Sequence, residues 1–92
     1  MVVRRLGVVG AGQMGQGIAQ VAAQAGVDVI IVDAAPDFAK AGIGKIKKAL
    51  DRLVEKGKME AGARDATLGH LKAGDGHRDL YECDLVIEAL AD

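Results

Sequence analysis

The stretch that most constrains this chain is Gly10-Ala11-Gly12-Gln13-Met14-Gly15. A short apolar run, Leu6-Gly7-Val8-Val9, leads into it, and a segment of helical periodicity leads out to Ala25. That pattern is strand, tight glycine turn, helix. Gly10 permits the turn out of the strand, Gly12 has no Cβ to hold a pyrophosphate off the backbone, and Gly15 lets the helix lie close to the strand. The helix then aims its unpaired N–H groups and the positive end of its dipole at the phosphates. A lone G-x-G-x-x-G says little in a chain with 13 glycines, but two neighbours strengthen it. Asp33 closes the next apolar run 18 residues past Gly15, near where an acid that binds a ribose is expected. Ala19, four residues after Gly15, is small enough for close helix–strand packing.

The remaining pattern completes half of a doubly wound domain. A nearly all-apolar first strand is expected over residues 4–9, as in a sheet covered on both faces. The first helix spans 13–25, with Met14, Ile18, Val21, Ala22 and Ala25 on one apolar stripe and Gly26 as its stop. A second strand covers 27–32. Pro36 and Asp37 start a long helix over 37–56, with Ala39, Ile43, Ile46, Leu50 and Leu53 inward and Gly57 at its end. A further helix over 60–72 carries Ala63, Ala66, Leu68 and Leu71, and the two helices form an antiparallel hairpin. A short third strand near 71–74, a turn at Gly74-Asp75-Gly76, one helical turn at 79–82 and a fourth strand at 84–89 follow. The predicted class is α/β and Rossmann-like, a parallel sheet of about four strands in the order 3-2-1-4, with the helical hairpin between strands 2 and 3.

Composition removes several function classes. Phe38 and Tyr81 are the only aromatic residues and the net charge is −1, so an aromatic-studded or basic nucleic-acid surface is not expected. No apolar run approaches the roughly 18 residues of a membrane span, and the opening residues lack the apolar core of a signal peptide. Cys83 is the single cysteine, which fits a reducing compartment and a cytoplasmic location. With His70 and His77 it makes no metal-ligand spacing, so all three read as structural or surface residues.

Four segments together resemble one enzyme family. They are Val8–Gln20 (VVGAGQMGQGIAQ), Val29–Asp33 (VIIVD), Ala49–Lys58 (ALDRLVEKGK) and Asp84–Ala89 (DLVIEA). This combination is similar to the opening of L-3-hydroxyacyl-CoA dehydrogenases, including bacterial 3-hydroxybutyryl-CoA dehydrogenases. The resemblance covers the whole chain and implies an NAD-dependent oxidoreductase of fatty-acid metabolism that converts L-3-hydroxyacyl-CoA to 3-ketoacyl-CoA. It also implies that the family's catalytic histidine, its orienting glutamate and the serine and asparagine near the substrate all follow the fourth strand. Residues 1–92 are thus expected to form the NAD-binding part, without the helical C-terminal domain and without catalysis on their own.

Site residues follow from the motif and the resemblance together. Gly10, Ala11, Gly12, Gln13, Met14 and Gly15 are expected to hold the cofactor's phosphates, and Asp33 its ribose. Asp33 could also cap the helix at Pro36; a cap does not exclude the ribose role. Its charge would repel a 2′-phosphate, and Ala34 and Ala35 offer no compensating cation, so NAD is favoured over NADP. Glu88 borders the crevice or is a solvated strand-end acid, and the backbone of Ala89 and Leu90 is expected near the cofactor ribose. The resemblance places an acyl-CoA nucleotide near the helical hairpin, with Lys56 on a phosphate; Ala49 stands where some members carry a CoA-contacting serine. Otherwise the lysines and arginines of the long helix form a solvated face. A stand-alone dinucleotide-binding module, a folded unit with a vestigial site, and part of another NAD-dependent hydroxyacid dehydrogenase remain alternatives; the Lys56-Gly57-Lys58 tip favours the acyl-CoA type. Leu85, Val86 and Ile87 lie on an unprotected edge strand, so a homodimer or larger assembly is expected there.

Overall fold

Aliphatic β-formers on both faces put the first two strands at the centre of the sheet. The computed structural model describes residues 2–89. β1 (Arg5–Val9) pairs in parallel with β2 (Asp28–Val32) on one side and β4 (Leu85–Glu88) on the other. β3 (Leu71–Ala73) pairs with the outer edge of β2, which gives the order β3-β2-β1-β4 expected from the sequence. Val8 sits opposite Ile31 in one ladder and Ile87 in the other. Val8, Val29 and Ile31 are fully buried and anchor an aliphatic cluster with Ala19, Ala23, Ile46 and Leu50.

Three helices join these strands: α1 (Gln13–Gln24), α2 (Pro36–Glu55) and α3 (Ala61–Gly69). α1 lies between β1 and β2, and α2 and α3 lie between β2 and β3. The return from β3 to β4 runs through a 3-10 turn, His77–Glu82. A Cβ added at Gly7 would sit 2.6 Å from Leu80 Cδ2 and 3.2 Å from Cys83 Sγ, so that turn packs directly on the middle of β1. Burial raises the pKa of the Cys83 thiol, which is consistent with a packing role. No helix among the described residues is long and apolar enough to cross a membrane.

Two expectations about helices are corrected. The most deeply buried face of α1 is its small-residue face, Gly15, Ala19 and Ala23; of the expected stripe, Ile18 and Ala22 pack partly against the core and Met14 and Val21 do not. Met14 is 62% and Val21 69% exposed, and Ala25 lies outside the helix and is exposed. Close approach to the strands selects for side-chain size before apolarity, so Met14 and Val21 turn outward and Ile18 stays at the margin of the core. α3 is shorter than 60–72: Leu71 belongs to β3, opposite Val29, and Ala63 and Ala66 are exposed while Thr67 is buried. Pairing with β2 wins there, because the Val29 N–H donates to the carbonyl of His70 at 2.8 Å and the helix must end by then. The inward residues of α2 are as expected, with Ala39, Ile46 and Leu50 buried and Ile43 and Leu53 packed against them.

The amino end of the sheet is tied together by charge. The Asp84 carboxylate Oδ2 accepts the backbone N–H groups of Arg4 (2.8 Å) and Arg5 (3.0 Å). Those two bonds hold its pKa below the usual carboxylate range. Arg5 pairs with Glu82 at 2.7 Å, and the His70 ring meets Asp28 at 2.7 Å. Arg64 of α3 reaches Asp51 of α2 at 3.2 Å, which fastens the hairpin.

Candidate cofactor site

At the carboxyl end of the sheet the chain leaves β1 through Gly10, whose φ of +113° is closed to most L side chains. The Gly10 N–H donates to the Val32 carbonyl at 2.8 Å, so the turn begins in register with β2. Gly15 is the point of closest approach: a Cβ there would lie 1.9 Å from the Gly10 carbonyl oxygen. Even alanine would push α1 off the loop. Gly12 is the N-cap residue of α1, with extended backbone, no side-chain cap and no acid in the first turn. The first intrahelical bond runs from the Gln16 N–H to the Gly12 carbonyl at 2.9 Å. The N–H groups of Gln13, Met14 and Gly15 therefore have no acceptor within the helix, and they sit at its positive end.

Asp33 is built into this loop. Its Oδ2 accepts the N–H of Ala11 at 2.9 Å and its Oδ1 accepts the N–H of Ala35 at 3.2 Å. The acid thus joins the glycine loop to the start of α2, and each oxygen keeps lone-pair capacity for a ligand hydroxyl. The Ala11 carbonyl accepts Nε2 of Gln16 at 2.9 Å, and a Cβ at Gly42 of α2 would stand 3.2 Å from the same oxygen. Ala11 thus serves the site by packing and loop geometry, since its N–H is committed to Asp33.

Two cavities flank the loop. One of about 560 Å³ lies between the loop and α2, lined by Ala11, Gly12, Gln13, Gln16, Phe38 and Lys45 among others. The other, about 260 Å³, is lined by Val9, Gly10, Asp33, Ala34, His77 and Glu88. The structure therefore brings Gly10, Asp33 and Glu88 together in one cavity and Ala11, Gly12 and Gln13 in the adjoining one. Met14 is exposed on α1. Ala89 is buried in the core, with its N–H donating to the Val9 carbonyl at 2.8 Å. Leu90 lies outside the described residues. Lys56 is exposed just past α2, roughly 21 Å of helix beyond Gly42 at ~1.5 Å per residue, and is not brought to the loop.

His77 is exposed, as read from the sequence, and it also lines the cavity that holds Asp33 and Glu88. The available signal was topological: it follows β3, and loops at the carboxyl ends of parallel strands line the ligand crevice. Lys45 and Phe38 were missed for a different reason, since nothing in the spacing says which face of α2 meets the loop.

A glycine turn closed over β1, an uncapped helix start and an acid at the end of β2, on a parallel 3-2-1-4 sheet, define a dinucleotide-binding α/β domain. Residues 5–92 match the family model described as "3-hydroxyacyl-CoA dehydrogenase, NAD binding domain", and the chain belongs to that family. The cofactor of this domain is NAD. A probable 3-hydroxybutyryl-CoA dehydrogenase of Deinococcus radiodurans is 47% identical over 96% of this chain and 31% of its own length. The 3-hydroxybutyryl-CoA dehydrogenase of Mycobacterium tuberculosis is 46% identical over 98% of the chain and 32% of its length. Among solved structures, a 3-hydroxybutyryl-CoA dehydrogenase from Escherichia coli superposes with a TM-score of 0.94 at 35% identity, over 100% of this chain and 20% of that one. The (S)-3-hydroxybutyryl-CoA dehydrogenase PaaH1 of Ralstonia eutropha gives 0.93 at 36% identity, over 99% and 32%. The chain spans about a third of the length of the curated relatives it matches.

Proposed function

We propose that residues 1–92 act as one NAD-binding unit of an oxidoreductase that converts L-3-hydroxyacyl-CoA to 3-ketoacyl-CoA. The observation that carries this reading is the Asp33 carboxylate fixed against the N–H of Ala11 beside an uncapped helix start. In that arrangement Gly12, Gln13, Met14 and Gly15 present backbone donors to a pyrophosphate, with Gly10 and Ala11 setting the turn. Asp33 accepts the ribose hydroxyls, and Glu88 lines the same cavity. Ala89 contributes as a packed residue just past β4. NAD, when bound, supplies the hydride-accepting ring. The resemblance places the group that deprotonates the substrate hydroxyl after β4, so neither histidine is assigned that role, and His70 is in any case tied to Asp28 at the far end of the sheet. Catalysis by residues 1–92 alone is therefore not expected.

Acyl-CoA specificity is the finer part of the proposal. Lys56, exposed just past the end of α2, offers a point charge for a CoA phosphate. Leu85 and Val86, each 41% exposed on the edge strand β4, support a homodimer or larger assembly through that edge. The lone, half-buried Cys83 is compatible with a cytoplasmic setting.

Calorimetric titration with NAD, NADP and CoA tests the reading. NAD binding in preference to NADP, weakened by Gly12→Val in a still-folded variant, is the expected result. Preference for NADP, or equal NAD affinity in Gly12→Val, would refute it. Lys56→Ala should weaken CoA and leave NAD unchanged. Light scattering of wild type and Val86→Lys tests the assembly: a monomer at all concentrations, or a dimer indifferent to the substitution, removes it.

A further inference from the structure

The cavity beside Asp33 contains a side chain that the phosphate-loop and ribose roles do not use. His77 lines it with Gly10, Asp33, Ala34 and Glu88, although it comes from the connection after β3. That connection starts as a continuation of the β2–β3 pairing and is then held by a turn of its own. A Cβ at Gly74 would lie 2.8 Å from Val32 Cγ1, 2.9 Å from Asp79 Oδ2 and 3.0 Å from Ile30 Cγ2, so the backbone presses flat against the end of β2. The Gly74 N–H donates to the Ile31 carbonyl at 2.8 Å. Asp79 Oδ2 then accepts the Asp75 N–H at 2.7 Å, and the Asp79 N–H donates to the Gly76 carbonyl at 3.1 Å. The turn is thus locked on both sides of His77. The imidazole itself is exposed and, unlike that of His70, makes no hydrogen bond to any side chain among the described residues.

At about 260 Å³ the cavity is large enough for a nucleoside and too small for a whole dinucleotide. Its polar walls are two carboxylates, Asp33 and Glu88, which accept hydroxyl or amino hydrogens. Among the described residues that line it, His77 carries the one planar ring. No cluster of three metal-ligating side chains forms among the described residues, so the group is not arranged for a cation. A flat ring beside ribose-directed carboxylates fits a purine nucleoside.

We infer that His77 is a further specificity-determining contact of the cofactor site: its imidazole packs against the adenosine half of the dinucleotide whose ribose Asp33 receives. The inference rests on the cofactor reading above, which puts the adenosine half beside Asp33, and adds His77 as its contact. The nicotinamide half lies elsewhere and does not sense His77.

The experiment is calorimetric titration of wild type, His77→Ala and His77→Phe with NAD, ADP-ribose and nicotinamide mononucleotide. His77→Ala is expected to weaken NAD and ADP-ribose roughly tenfold, the size of one lost base–aromatic stack. Nicotinamide mononucleotide affinity and the melting temperature should stay unchanged, which a merely structural role would not allow. His77→Phe keeps a planar face and should remain within about twofold of wild type. In the unsubstituted protein, the His77 ring-proton resonances should move on adding ADP-ribose, a readout independent of how the variants fold. If His77→Ala binds ADP-ribose like wild type while Asp33→Ala does not, the inference falls and the cofactor reading stands. Wild type that binds no NAD brings down both.

Discussion

The two ends of the sheet treat charge in opposite ways. At the amino end, Asp84 takes two backbone N–H groups, Arg5 meets Glu82 and Asp28 meets His70, so each of these carboxylates has a partner. At the carboxyl end, Asp33 bonds only to backbone amides, Glu88 has no ion pair among the described residues, and α1 begins without a side-chain cap. Both ends are built from the same strands, one residue pair after another in a single register. The difference is one of purpose. Polar groups satisfied within the chain hold the fold, and polar groups left with spare capacity await a ligand.

Substitutions can break this contrast from either side. The largest effect is expected at Gly15. Gly15→Ala places a methyl 1.9 Å from the Gly10 carbonyl. It should abolish NAD binding and cost about 3 kcal/mol, a fall of roughly 10–20 °C in melting temperature. A stable Gly15→Ala with normal NAD affinity would mean that the tight loop is incidental. Next comes Asp33→Ala, which removes two amide acceptors as well as the ribose acid. It should weaken NAD more than tenfold, erase the preference over NADP, and destabilise by about 2 kcal/mol. Loss of affinity with unchanged thermal stability would show that the carboxylate does not brace the loop.

Asp84→Asn probes the amino end and should spare the cofactor. The folded-state pKa of Asp84 is depressed, so its contribution is present above the unfolded-state pKa and lost as pH falls through the folded one. The variant should therefore match wild type in relative terms at strong acid and fall behind it above about pH 4. Melting curves from acid to neutral pH check this, and identical slopes for the two proteins would contradict it. The smallest effect is expected for His70→Ala. That pair is partly exposed, so its loss should cost under about 1 kcal/mol and leave NAD titrations unaltered.

Legibility from sequence followed the same division. The glycine turn, the strand order and the inward face of α2 could be read because each rests on local geometry or on aliphatic periodicity. α1 misled because its packing face is chosen for smallness: Gly15, Ala19 and Ala23 carry little hydrophobic signal beside Met14, Ile18 and Val21. The boundary of α3 was misplaced because a strand pairing from distant β2, invisible in local pattern, captured Leu71. Asp33 was found as an acid at the right distance. Its grip on Ala11, 22 residues earlier in the chain, could not be found, since no spacing rule encodes a side chain returning to a loop. That His77 lines the same cavity as Asp33 could not be read either, since its place depends on how Gly74 packs on β2.

The hold on Ala11 has a further consequence. Its N–H is taken by Asp33, its carbonyl by Gln16, and Gly42 of α2 stands against the same oxygen. The two peptides that flank Ala11 are each held by a side chain, which opposes a flip of either toward an arriving phosphate. The conformational entropy of ordering the loop is thus spent when the chain folds and not when the cofactor docks. Association should resemble a key entering a finished lock: a single fast phase, little change in backbone exchange rates at residues 10–15, and selectivity set by what fits.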